Sequence, residues 1–260
     1  MGNLFGRTLK YSFWNYYDNL GIYFIINFLW FVFPHFFLIL SWRVYPVPNL
    51  FNFSVFPRIN ELFMFFLLSY ALFFSPLSAA LYRTSVRAAG KTRITFKDYF
   101  KGIKAIFFKS LFFIVIHSLI TVFSFFNVFF YIDKFSHFMP LAGAVLSGIV
   151  IIFYLAYLIA ALYIFPAVVS ENISLWAGIK KSSWAAFTTL PFSLFNLLIF
   201  LLIALGSIVF VVPFVILMPA FYAQYNTESW LSIKENYGEI TRNEENRSFR
   251  DFVFPWSSVR

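Results

Sequence analysis

Five long stretches of this sequence carry no charged residue: Asn19–Trp42, Leu62–Tyr82, Ser110–Ile132, Phe135–Ser170 and Ser182–Thr227, of 24, 21, 23, 36 and 46 residues. Together they hold 150 of the 260 residues. A soluble domain of this size cannot leave that much chain uncharged, because its helices and strands must turn a polar face to water. The stretches therefore predict an all-α, polytopic transmembrane helical bundle. The composition agrees: 61% of residues are hydrophobic, 12% are charged and 41 are Phe. In water such a chain would expose far more apolar surface than a monomer tolerates.

A helix crosses the hydrocarbon layer in about 20 residues. The first four stretches then hold one span each, over residues 20–41, 62–81, 111–131 and 141–165, the fourth opening at Met139-Pro140 and ending near Pro166. As one helix the fifth stretch would reach about 69 Å at 1.5 Å per residue, twice the bilayer core. A hairpin over 190–205 and 208–222, broken at Gly206-Ser207, fits better. Its arms are short and the second carries Pro213 and Pro219, so two crossings and a re-entrant pair both remain open. Residues 1–240 are read as a single transmembrane domain with about six passages, and 241–260 as a polar cytoplasmic tail of disordered composition.

The net charge of +9 is explained by topology rather than by nucleic acid. With both termini cytoplasmic, seventeen of the twenty Lys and Arg residues fall inside, leaving only Arg43, Arg58 and Lys134 outside. That asymmetry is the positive-inside pattern of a multi-pass inner-membrane protein. The first apolar run is too long for a cleavable signal and no A-x-A site follows it. Gly6 stands where a myristoylation signal needs Ser or Thr.

Three segments read as amphipathic helices at the membrane surface. In the first linker, Phe96, Tyr99, Phe100, Ile103, Ile106 and Phe107 share one helical face and Lys97, Lys101 and Lys104 another. The basic linker 83–109 is expected to meet anionic lipid headgroups, although basic flanks anchor topology in any multi-span protein. A weaker copy surrounds Trp176, Ile179, Lys180 and Lys181. A third spans Asn3 to Tyr17, with Phe5, Leu9, Phe13, Tyr16 and Tyr17 on one face. A parallel repeat is also visible: Ala79-Ala80-Leu81-Tyr82 matches Ala160-Ala161-Leu162-Tyr163, each followed by Gly-Ile-Lys, at Gly102 and Gly178. Parallel repeats occur in transporters; accretion of helical hairpins explains the match equally well.

Chemistry has few footholds. No Asp, Glu, Lys or Arg lies inside a proposed span, which argues against an ion-coupled pump or an intramembrane carboxylate protease. With no cysteine, thiolate chemistry and disulfides are excluded. His35 and His117 lack an i+3 or i+4 ligand partner and read as interhelical hydrogen-bonding groups, as do Asn27, Asn127 and Asn196. His137 is placed in an outer loop. Gly143, Ala144, Ser147 and Gly148 form small-xxx-small pairs for close helix approach. Phosphate-binding, dinucleotide, zinc-protease and serine-hydrolase motifs are absent. The reading therefore assigns no catalytic, cofactor-binding or metal residue, and no cofactor.

The order of features resembles the YesL-like integral membrane proteins of bacteria. The resemblance rests on Asn27-Phe28-Leu29-Trp30; on Pro76 with Ala79-Ala80-Leu81, Arg83 and Arg87; on Phe100, Lys104 and Phe107; and on Asn172 to Trp176 leading through Ile179-Lys180 and Ser183 to Pro191. It covers roughly Met1 to Tyr237. The Phe richness and the long first outer loop, Arg43 to Asn60, depart from it. It implies an accessory role beside carbohydrate uptake systems and transfers no site residue. The expectation is a non-enzymatic membrane accessory or interaction protein partnered by a transporter or other membrane protein. The alternatives are a small permease for a neutral or amphiphilic solute and, more distantly, a membrane-embedded lipid-processing enzyme.

Overall fold

A computed structural model describes residues 2–44, 76–136, 139–209, 211–242 and 247. Among them all regular structure is helical: α1 (Gly2–Tyr17), α2 (Leu20–Val44), α3 (76–89), α4 (Phe96–Ser136), α5 (Pro140–Ser170), α6 (Leu175–Thr188), α7 (Leu190–Val209) and α8 (Val211–Asn236). Two helices, α4 and α5, are long and apolar enough to cross a membrane. A third crossing arises if α6 and the start of α7, bent by 105°, are taken as one broken span. The proposed span 62–81 is described only from 76 onward, and most of the first outer loop, with His137, lies outside the described residues.

The helix α8 is the hub. It packs against α1, α2, α5 and α7. One core cluster joins Leu4 of α1, Tyr163 of α5, Ala185 of α6, Phe192 of α7 and Trp230 of α8. A second joins Tyr16, Tyr23 and Ile26 to Leu81 of α3, Tyr99 of α4 and Ala223 of α8. From this body α4 and α5 project as a hairpin whose apolar side chains face outward: Phe108, Leu141 and Phe153 are 83%, 78% and 73% exposed. A surface of that kind is stable only against hydrocarbon.

The hairpin closes on small residues. A Cβ on Gly143 would lie 2.7 Å from the Tyr131 carbonyl oxygen, and Ser147 Oγ, which donates to its own Gly143 carbonyl at 2.8 Å, is buried beside Val128. The close approach foreseen for these residues is thus made within the chain. Ala144 and Gly148 face away, and Gly148 meets nothing within 4 Å.

Several boundaries depart from the sequence reading. The linker helix at Phe96 and the span 111–131 are one uninterrupted helix of 41 residues. No Gly or Pro lies between Ile103 and Met139, so nothing stops helix propagation there. Its apolar face therefore does not lie free on the membrane. Tyr99 and Ile106 are buried, against α3 and α5, while Phe100 is turned out. Helix α5 continues through Pro166 to Ser170, because one proline can kink a well-packed helix without ending it. Gly206 and Ser207 lie inside α7, which runs to Val209, and the second arm, α8, runs from Val211 on to Asn236. In α1 the buried side is Leu4, Thr8, Tyr11 and Asn15, whereas Leu9 is 43% exposed. The helix turns polar groups inward and leaves part of its predicted apolar face outside.

Both copies of the repeat share a construction. Helix α3 ends in a turn with Lys91 at φ 54°, and α5 in one with Asn172 at φ 51°, each nine positions after the matched Tyr82 or Tyr163. A capped helix follows. Thr95 and Asp98 hydrogen-bond reciprocally in a capping box, and Ser174 accepts the Ala177 N–H. Gly102 then packs on Ala80 and Gly178 on Val168. The copies diverge where Pro191 denies the helix an N–H and crowds the carbonyl of Phe187: α6 ends at Thr188, whereas α4 runs on.

Candidate functional site

One helical segment is anomalous for a membrane bundle. From Ala223 to Trp230 every residue of α8 is buried, although six of the eight carry polar side-chain groups in addition to Trp230. Such a segment is tolerable only if its neighbours satisfy it. Glu228 sits at its centre with no exposed surface. Its Oε1 accepts from Asn15 Nδ2 at 2.6 Å and Gln224 Nε2 at 3.1 Å, and its Oε2 accepts from Arg242 Nη1 at 2.5 Å. Burial pushes this carboxyl above the usual carboxylate range, against the pull of Arg242, Asn15 and Gln224. Gln224 in turn accepts from the Tyr23 hydroxyl at 2.7 Å, and Arg242 reaches Glu235 and Ser232 and lies over the Tyr11 ring.

On the far side of the segment the Tyr225 hydroxyl donates to Asn196 Oδ1 at 2.7 Å, and Asn196 Nδ2 donates to the Tyr163 hydroxyl at 2.8 Å. Asn27 Oδ1 accepts the Ala220 N–H at 2.9 Å, next to the interruption made by Pro219. The hydroxyls of Thr8 and Thr227 are buried with no hydrogen-bond partner among the described residues. Its charged members are Glu228, Glu235 and Arg242, and it ties α1, α2, α5 and α7 to the hub.

Two clefts open at the charged end of the bundle. The first, of about 300 Å³, is bounded by Glu171, Lys180, Lys181, Trp184, Lys234 and Glu239. Glu171 pairs with Lys181 and, at 3.0 Å, with Lys234. Burial alone would raise its carboxyl; the hydrogen bonds from the two lysines outweigh that and hold it below the usual range. The second, of about 480 Å³, lies between α3, α4 and α5, with the cations Arg83, Arg87 and Lys109 above the apolar Val86, Ile106 and Val169. Arg87 is paired with Asp98. Lys109 Nζ donates to the Ile173 carbonyl at 3.0 Å and has no carboxylate partner among the described residues. Arg83 makes no ion pair among the described residues.

No known protein family, curated protein or solved structure matches this chain. The site is argued from its own geometry. The structure distributes the residues singled out in the sequence rather than converging them. His117 Nδ1 hydrogen-bonds the Tyr157 hydroxyl at 2.9 Å beside the stacked Phe113 ring, an interhelical bond between α4 and α5. Asn27 and Asn196 also link helices, whereas Asn127 bonds back to its own helix at the Phe123 carbonyl. The side chain of His35 lies outside the described residues. Among the described residues no three His, Cys, Asp or Glu side chains group as metal ligands.

Sequence reasoning passed over Glu228, and it took Arg83 only as one charge of the basic linker 83–109. Glu228 ends the last uncharged stretch and reads as the start of a polar tail. The signal that betrays it is the run of polar side chains from Gln224 to Ser229 on a helix that has just left an apolar hairpin. The tail itself is partly docked: besides Arg242, Arg247 pairs with Asp18 at 2.8 Å and lies over the Trp14 ring.

Proposed function

We propose that the chain is a non-enzymatic accessory or interaction protein of the bacterial inner membrane, YesL-like, with about six passages and both termini cytoplasmic, serving a solute transport system. The observation that carries this reading is the division of labour in the bundle. The polar groups of the α8 hub are spent on holding helices together. Among the described residues the outward surface is apolar along α4 and α5 and rich in basic side chains, such as Lys97, Lys101 and Lys104, at the other level.

The orientation is supported by the ion pairs. Arg87–Asp98, Lys181–Glu171, Lys234–Glu171, Arg7–Glu235 and Arg242–Glu228 link segments that the positive-inside count assigns to the cytoplasm. Lys134 pairs with Asp133 near the far end of α4, a helix of about 60 Å at 1.5 Å per residue. Affinity purification in mild detergent tests the role. Stoichiometric recovery of a membrane partner is expected, and a chain that emerges alone and monomeric overturns it.

The second reading is a small permease for a neutral or amphiphilic solute. It is favoured by the uncharged polar interior of Tyr163, Ser193, Asn196 and Tyr225 and by the unpaired Thr227 hydroxyl, groups suited to a hydroxylated solute. Liposomes carrying the pure protein would then show flux that Asn196→Leu abolishes. Absence of flux across a panel of neutral solutes removes this reading.

A further inference from the structure

We infer that the cleft between α3, α4 and α5 is a binding site for the phosphate of an anionic phospholipid, with Arg83 and Lys109 as its ligands. The inference rests on the chain being embedded in a membrane with this end at the headgroup level; it does not depend on the accessory role.

Three observations converge. First, the cleft is cationic on balance. Of its three basic residues only Arg87 has a carboxylate partner among the described residues, Asp98. The nearest other acid along the chain, Glu171, is already held by Lys181 and Lys234. Arg83 and Lys109 are both half-buried, so their charges are poorly screened and an incoming anion gains more than it would on an open surface. Second, the pair is chemically matched to a phosphate. A guanidinium gives a planar two-donor fork, and an ammonium beside it supplies a point charge. Third, the cleft continues into lipid-facing surface. Ala105, Lys109 and Phe112 succeed one another along one face of α4 at i, i+4 and i+7. Ala105 lines the cleft, and Phe112, with Phe108 beside it, is turned outward. A headgroup held by Lys109 therefore has an acyl path one turn away, which a soluble phosphate would not use.

This is a narrower site than the one the sequence points to. Lys97, Lys101 and Lys104 on α4 are exposed to solvent and do not line the cleft. They supply diffuse attraction to a charged membrane surface; the cleft supplies a stoichiometric site.

The test uses the full-length protein in lipid nanodiscs of phosphatidylcholine, with and without a minor fraction of phosphatidic acid or phosphatidylglycerol, followed by native mass spectrometry after mild detergent transfer. The wild type is expected to retain one anionic phospholipid. The Arg83→Gln/Lys109→Gln double variant should lose at least about tenfold of that retention, the scale of a lost charge-assisted contact. Arg83→Lys/Lys109→Arg, which keeps both charges, should retain the lipid. Lys97→Gln/Lys101→Gln should retain it too. Lys109→Gln alone leaves the α3 packing untouched and is read in place of the double variant should that not fold. Retention unchanged in the Gln variants overturns the site, as does equal loss in the Lys97/Lys101 variant. Displacement of the lipid by millimolar inorganic phosphate overturns the assignment to a lipid. A chain that purifies without a protein partner yet retains the lipid refutes the accessory role and leaves this site standing.

Discussion

At the scale of single residues the strongest constraint falls on Glu228. A carboxylate with no exposed surface, satisfied by Asn15, Gln224 and Arg242, cannot lose its function as acceptor without stranding the Asn15 and Gln224 donors, while Arg242 keeps its pair with Glu235. Glu228→Leu is expected to destabilise the bundle by about 2–6 kcal/mol, at about 1–3 kcal/mol for each buried donor left unsatisfied, and thermal melts in detergent will show it. Glu171 gives a sharper pH test. Its folded pKa lies below its unfolded one, so its stabilisation is present above the ordinary carboxylate range and is lost as pH falls through the folded value. Its partner Lys181 is raised, chiefly by the hydrogen bond to Glu171, so that share is present below the ordinary lysine range and is lost as pH rises beyond it. Glu228 works the other way, since a carboxyl raised by burial favours the fold at lower pH. The melting temperature of Glu171→Gln should therefore lose the acid-side decline seen in the wild type, and a decline of equal size in both proteins would refute the assignment.

At the scale of elements, glycine contacts decide how closely helices pair. A Cβ on Gly143 would press on the backbone oxygen of Tyr131, which has no rotamer to escape by. Gly143→Ala should cost about 1–3 kcal/mol through overpacking, whereas Gly148→Ala, which meets open space, should be neutral or better; comparative melts of the two variants check this. The same contrast shows what could be read from the sequence. Uncharged stretches and 3.6-residue periodicity placed helices correctly at α2, α4, α5 and α8, because hydrophobicity is recorded locally. Ends were misplaced wherever they depend on stop signals rather than composition, as at Ser110, where no breaker exists, and at Gly206-Ser207, where a glycine alone did not end an apolar helix. Which face of α1 turns inward was not legible. The answer lies in polar partners more than two hundred residues away, and Leu9 looks like a core residue until Glu228 is known to be waiting for Asn15.

At the scale of the whole molecule, orientation is the testable claim, and the composition makes the test clean. With no native cysteine, single substitutions report without background. Lys134→Cys should react with a membrane-impermeant maleimide in intact cells, and Lys97→Cys only after permeabilisation; the reverse pattern would invert the bundle. The uncharged stretches set the general architecture, but the candidate site was not foreseeable from them, because Arg83 of α3, Lys109 of α4 and Asn172 in the turn after α5 meet only when these helices pack. The buried segment of α8 has a further consequence for how the protein is made. Asn15 precedes its acceptor by 213 residues, so α1 must wait with its polar side unsatisfied while all of that intervening chain is synthesised. Only a chain translated through Arg242 can close the lock. A ribosome that stops before Arg242 leaves α1 without these partners and its polar face unsatisfied.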